Sequence, residues 1–215
     1  MFVRLNADEA GLRCVRCTSS AVHLAIGRAL LAETDGIAGM DVCELSTSGP
    51  LAGYLRDHAR SAMLSEYFAD LPPGSIRNGI RCEDVQQLTY RDASFDLVTH
   101  TEVMEHVPDD ARAFAELHRV LRPGGVMLFT VPLHGGPHTV ERARLHNDRV
   151  EYLLDPVYHT DPLRDGKGIL AYRDYGLDIL DRLRMAGFKR VEIATQGGIP
   201  FARPRDVIIA GRAAS

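Results

Sequence analysis

What the 215-residue chain lacks narrows its identity first. It has no run of about 18 apolar residues, the length a helix needs to cross a bilayer. Its opening stretch, MFVRLNADEAGLRC, carries acidic residues and no apolar segment of the kind that directs secretion. A cytoplasmic protein without a membrane partner is expected. Lysine is nearly absent: Lys167 and Lys189 stand alone, and the other cations are arginine. With a formal net charge of −4 the chain offers no broad cationic footprint, so a nucleic-acid partner is not expected.

Cysteine is scarce as well. Cys43 and Cys82 fall inside predicted strands and read as small buried hydrophobes. Cys14 and Cys17 form a C-x-x-C pair, but a closed zinc site needs four ligands and no second pair follows at a regular distance. Half a zinc knuckle, a redox pair and plain structural thiols are the readings open to it. His and Asp residues elsewhere show no metal-ligand spacing, so no metal site is expected. The dinucleotide fingerprint G-x-G-x-x-G is also missing, which argues against a nicotinamide dehydrogenase. In its place DVCELSTSGPLAGYL carries Ser46, Ser48 and one displaced glycine, Gly49, after a short apolar strand ending near Glu44.

What is present fits an α/β protein. The length suffices for one such domain, and the 45% apolar and 25% charged residues are those of a soluble globular chain. Apolar β-rich runs at about 41–45, 62–66, 79–83, 95–100, 126–131, 191–194 and 206–210 alternate with helical patterns, the signature of a parallel sheet. Helices are expected at about 20–32, after Asp109, where Phe114, Leu117 and Leu121 share a face, and at 177–186, where Leu177, Leu180 and Leu183 do. LRPGG ends the middle helix and launches the next strand. YFADLPPGSIRN, between the second and third strands, is too short for a good crossover helix. The chain reads as a single domain over 1–215, with an N-terminal extension at 1–40. The stretch 133–172, rich in His, Asp, Arg and Gly, is too long for a mere connection and is expected to form a substrate cap.

Ligands of such a sheet bind outside the carboxyl ends of its strands. Glu66 lies 22 residues after Glu44 and closes the second strand beside Tyr67, a position suited to accepting from two ribose hydroxyls. Asp84 and Val85 follow the third strand, where a carboxylate can accept from an adenine amine and Val85 can pack on the ring.

YRDASFDLVTHTEVMEHVPDDARAFAELHRVLRPGGVMLFTVP carries Ser94–Val98, Glu105–Val107 and Arg119–Gly125 in one frame. From about Asp41 onward the chain resembles the class I S-adenosylmethionine-dependent methyltransferases. The resemblance implies a Rossmann-like seven-stranded sheet in the order 3-2-1-4-5-7-6, its last strand antiparallel, with helices on both faces. It implies S-adenosyl-L-methionine as cofactor and in-line methyl transfer to oxygen or nitrogen of a small-molecule or sugar acceptor. The alternative is an inactive binding protein of the same fold, because the family's turn glycines become Ser46, Ser48 and Pro50. The implied cofactor contacts are Glu44, Ser46, Gly49, Glu66, Tyr67, Asp84, Val85, His100 and Thr101, with Glu102 near the methyl group. Candidate bases are His106, which in the family also serves packing, and His134 and His159, with His138, Tyr158 and Asp161 beside them.

The C-x-x-C pair leads to one expectation of its own. Two thiolates leave half a tetrahedral shell empty, so they should hold no stoichiometric zinc. Metal analysis finding zinc that is lost on Cys14→Ser would refute this.

Overall fold

Val42 and Cys43, Leu97 and Val98, Met127 and Leu128, and Ile208 and Ile209 are adjacent apolar pairs, all buried. Successive side chains of a strand point to opposite faces, so such pairs require a sheet covered on both sides. That is the architecture of the computed structural model, which describes residues 1–5, 11–147, 149–159, 168–198 and 202–214.

A hairpin of β1 (Phe2–Arg4) and β2 (Leu12–Cys14) precedes α1 (Ala21–Glu33), whose N-cap Ser20 forms a reciprocal capping box with His23. There follow β3 (Asp41–Glu44), α2 (Gly49–His58), β4 (Ser61–Glu66), β5 (Ile76–Arg77), β6 (Ile80–Cys82) and β7 (Phe95–Thr101). A 3-10 turn, Met104–His106, leads to α3 (Asp110–Val120), capped by the Asp109 carboxylate, and to β8 (Leu121–Thr130). Short antiparallel pairings then involve β9 (Val140–Glu141), β10 (Ala143–His146), β11 (Arg149–Tyr152), β12 (Tyr158–His159), β13 (Ile169–Leu170) and β14 (Arg173–Asp174). The chain closes with α4 (Ile179–Met185), β15 (Arg190–Gln196) and β16 (Arg205–Gly211).

The main sheet runs β15-β16-β8-β7-β3-β4-β6-β5. β6, β4, β3, β7 and β8 are mutually parallel, and β16 is antiparallel to both β8 and β15. This is the expected 3-2-1-4-5-7-6 order with one correction: eight strands, not seven. The extra strand is β5, which pairs antiparallel with β6 inside the segment too short for a crossover helix.

Two cores flank the sheet. Val42, Leu97, Leu128, Val207 and Ile209 meet Ala25, Ile26 and Leu30 of α1 and Leu51 and Leu55 of α2. Cys43, Val98, Met127, Phe129 and Ile208 meet Phe114 and Leu117 of α3 and Ile179 and Leu183 of α4. Two helical expectations shift. α4 starts at Ile179, leaving Leu177 46% exposed, because Ile179 takes the inward position. Leu121 is buried as the first residue of β8 rather than on the helix.

The Arg119–Gly125 motif is structural. Arg119 donates to the carbonyls of Leu88 and Tyr90, pinning the loop before β7. A Cβ at Gly125 would stand 2.9 Å from the Arg122 carbonyl, so only glycine lets β8 pass there. Arg212 donates to the carbonyls of His118, Arg119 and Leu121, satisfying the end of α3.

The long segment after β8 returns to the core through Arg173. This guanidinium is 3% exposed and donates to the carbonyls of Met104, Val107 and Pro108. It pairs with Glu141 at 3.2 Å, and Arg182 pairs with both Glu141 and Asp110. Tyr175 completes the group by donating to Asp110 at 2.9 Å. Removing one partner of such a buried network leaves the others desolvated and unmatched. Arg173→Ala should therefore cost about 3–5 kcal/mol of stability in urea unfolding. A loss below about 1 kcal/mol would show that other contacts hold the segment.

Candidate active site

Parallel strands present their carboxyl ends along one edge, and a crevice opens where the strand order reverses. Here the reversal lies between β3 and β7. Glu44 ends β3, Glu66 ends β4, Asp84 follows β6 by two residues and Thr101 ends β7. Glu44 stands opposite Leu64 and Thr99, and Glu66 opposite Cys82, so these tips lie side by side.

The glycine-poor turn between β3 and α2 is held by its hydroxyls. Thr47 donates to Glu66 Oε1 through its backbone N–H at 2.7 Å and its side chain at 2.8 Å. Arg56 donates to the Thr47 carbonyl, and Ser46 exchanges hydrogen bonds with Ser48. Gly49 has φ +88°, in the left-handed region that glycine adopts without strain, and Pro50 follows in the first turn of α2. Thr47 was not singled out in the sequence. Nothing in its spacing indicates that it bonds the neighbouring strand's carboxylate.

Glu44 is 2% exposed and accepts from the Thr99 hydroxyl. Burial, aided by the charge of Glu66 and opposed by Thr99, pushes its pKa up to about 8. Asp84 accepts from the Gln86 backbone at 2.8 Å and from its amide at 3.1 Å, closing a local turn, while Val85 is buried and Tyr67 exposed. His100 is fully buried, its ring 4.6 Å from that of Phe129, with neither nitrogen hydrogen-bonded among the described residues. Burial holds its pKa down at about 3, so the ring is neutral. Thr101 is half-buried. Glu102 adopts φ +53°, a strained conformation for a non-glycine residue, immediately after the strand. It keeps open surface, yet the chain crowding its carboxyl, followed by the charge of Glu105, lifts its pKa to about 7.

Of the candidate bases, the structure unites two. His106, in the turn after β7, and His159, on β12, approach to 3.2 Å between Nε2 and Nδ1, their rings nearly perpendicular. Glu105 Oε1 lies 3.8 Å from His106 and 3.7 Å from His159. The Glu105 carboxylate beside it raises the pKa of His159, against the ring's partial burial. His134 stands elsewhere, exposed and bonded to the His138 carbonyl and the Gly136 N–H. Tyr158 is exposed, its hydroxyl 3.4 Å from that of Tyr152, and Asp161 lies outside the described residues. Glu105 was missed as a functional group. Its signal was a carboxylate between residues as apolar as Met104 and Val107.

Glu44 makes stability pH-dependent in a defined direction. Between its ordinary value near 4.5 and its folded value near 8, the folded chain holds a proton that the unfolded chain has released. Its contribution is whole below the lower value and is lost as pH rises through the upper one. Glu44→Gln should therefore gain stability relative to the parent between about pH 5 and about pH 9, by a few kcal/mol at most. Parallel urea curves for the two proteins at both pH values would disprove the shift.

Residues 25–129 match a methyltransferase-domain family. The chain is 28% identical over 129 residues to a ubiquinone biosynthesis O-methyltransferase of Methylococcus capsulatus, covering 60% of this chain and 47% of that one. It is 36% identical over 104 residues to a probable S-adenosylmethionine-dependent methyltransferase of Mycolicibacterium smegmatis, covering 44% and 39%. The chain thus spans less than half the length of either relative. Among solved structures, an S-adenosylmethionine-dependent methyltransferase from Mesorhizobium loti superposes with a TM-score of 0.58 at 21% identity, covering 87% of this chain and 98% of that one. A Burkholderia thailandensis 1,6-didemethyltoxoflavin-N1-methyltransferase with bound S-adenosylhomocysteine gives 0.52 at 20% identity, over 89% and 76%. Residues 25–129 thus match a methyltransferase domain, and the order of the sheet is that of the S-adenosylmethionine-dependent methyltransferase fold.

Proposed function

We propose that the chain transfers a methyl group from S-adenosyl-L-methionine to an oxygen or nitrogen of a small-molecule or sugar acceptor. The observation that carries this reading is the row of carboxylates on adjacent strand tips, Glu44, Glu66 and Asp84. The donor set fits the cofactor. Thr47 occupies Glu66 Oε1, and Oε2 takes no hydrogen bond among the described residues, leaving an acceptor for ribose hydroxyls. Glu44, poorly solvated and half-neutral near pH 8, is suited to a cationic neighbour that favours its ionised form. Ser46 and Gly49 keep the turn small, Asp84 and Val85 offer an amine acceptor beside an apolar surface, and Tyr67 and Thr101 flank the crevice. His100 contributes shape beneath the site rather than charge.

When bound, the cofactor supplies a methyl group already activated on sulfonium sulfur. The chain's own residues position the acceptor, exclude water and manage its proton. In this reading residues 133–172 form the cap, and its return over Met104–His106 through Arg173 sets the cap against the end of β7. The Glu105–His106–His159 cluster, at the cap's inner face, activates the acceptor, while His134, at the base of the cap, lies apart from it. One similar protein is named an O-methyltransferase and another an N1-methyltransferase, and in this reading the cap sets the acceptor class.

Calorimetry with S-adenosylhomocysteine tests the reading directly, because the demethylated product keeps every contact but the methyl. Glu66→Ala should weaken its binding by about 1.5–3 kcal/mol, the scale of hydrogen bonds to a charged group. His159→Ala should leave that affinity nearly intact while lowering turnover. No binding by the parent protein would end the proposal, and unchanged binding by folded Glu66→Ala would end the role of Glu66.

A further inference from the structure

Glu105 is 2% exposed, and neither carboxylate oxygen finds a hydrogen-bond partner among the described residues. A buried carboxylate left so is costly, and natural structures resolve such cases with water or an ion. The imidazoles beside it show which. His106 Nδ1 lies 2.8 Å from the Leu170 carbonyl, which only accepts, so Nδ1 carries the proton. In the neutral ring, the Nε2 lone pair then faces His159 Nδ1 at 3.2 Å and Glu105 Oε1 at 3.8 Å. This is the arrangement of metal-ligating histidines, whose second nitrogen donates to a backbone carbonyl.

Glu105 Oε1, His106 Nε2 and His159 Nδ1 form a triangle with edges of 3.2, 3.7 and 3.8 Å. The two longer edges exceed hydrogen-bond length. A point equidistant from the three atoms lies about 2.1 Å from each, the bond length of zinc to imidazole nitrogen or carboxylate oxygen. Two imidazoles and one carboxylate also make the donor set of open, three-ligand transition-metal sites. The His159 side chain is 37% exposed, so the cluster is reached from solvent at this ligand.

We propose that Glu105, His106 and His159 bind a divalent transition-metal ion of the zinc type, with a free position turned towards the acceptor. The role of the ion rests on the methyl-transfer reading above, but its binding does not. In that role it holds an acceptor hydroxyl and lowers its pKa, and the proton leaves to solvent. The oxygen lone pair then bonds the methyl carbon, while the carbon–sulfur bond breaks and its electrons remain on sulfur. Both imidazoles serve as ligands, and neither accepts the proton. Sequence spacing concealed the site, because His159 stands 53 residues beyond His106.

Zinc analysis and cobalt(II) titration of the full chain, without cofactor, test the proposal. The expected result is stoichiometric zinc and the intense visible bands of four-coordinate cobalt, both retained in Cys14→Ser. Glu105→Gln and His159→Ala should each weaken zinc binding by more than the roughly 10–100-fold that outer-shell changes cost. His159→Ala alters a partly exposed side chain, and circular dichroism confirms that it folds. Absence of cobalt bands in the parent, or zinc affinity unchanged in folded His159→Ala, overturns the site. Zinc lost in Cys14→Ser but kept in His159→Ala assigns the metal to the thiols and likewise overturns it. S-adenosylhomocysteine calorimetry run alongside separates the two proposals: cobalt bands without nucleoside binding refute methyl transfer and support the metal site.

Discussion

The Arg173 guanidinium is the interaction on which the candidate site depends. The chain leaves the sheet after β8 and returns to it more than forty residues later. Arg173 fixes that return by donating to three carbonyls in the turn after β7 while pairing with Glu141. The buried Val107 carbonyl of that turn has no ladder to join, so without the guanidinium it would lack a hydrogen bond among the described residues. The same turn carries Glu105 and His106. The backbone N–H of Tyr172 donates to the Glu105 carbonyl, and Leu170 holds the His106 ring. One buried cation thus aligns two parts of the chain distant in sequence.

The two ends of the sheet are electrostatically unlike. At the amino ends, Asp41 pairs with Arg60 and Arg122, and Asp96 with Arg122, in an accessible network. Hydrogen bonds from Arg60, Ser61 and Arg122 hold the Asp41 carboxyl well below the usual range. Such exposed pairs add little stability in water. At the carboxyl ends, among the described residues, Glu44 accepts a side-chain hydrogen bond from Thr99, and Glu105 has no hydrogen bond. Burial raises the pKa of Glu44, as expected where a ligand completes the set. The strained backbone of Glu102 lies at the same end.

The order of the central strands was legible because it follows from local patterns. Doubly apolar strands such as Phe95–Thr101 demand cover on both faces, and the helices between them compel parallel crossovers. The expected edges moved where a local signal was weak. β5 has two residues and no periodicity, and Leu177 fitted the helical stripe as well as Ile179 did. Glu44, Glu66 and Asp84 were placed on this edge from the sequence because the first two end strands and Asp84 follows one by two residues, and a strand's end fixes its place on the edge.

The sequence by itself therefore determined the fold, the methyltransferase-domain likeness and the edge that holds the strand tips, since all three are written in short segments. Only tertiary structure decided which side chains meet there. Three histidines of similar appearance were candidates, and His106 and His159 converge while His134 turns to its own loop. Thr47 came to staple Glu66, and Glu105 became a buried carboxylate between two rings. Each of these follows from packing across long chain separations, where distance is set by the Arg173 clamp and the sheet and leaves no periodicity for the sequence to display.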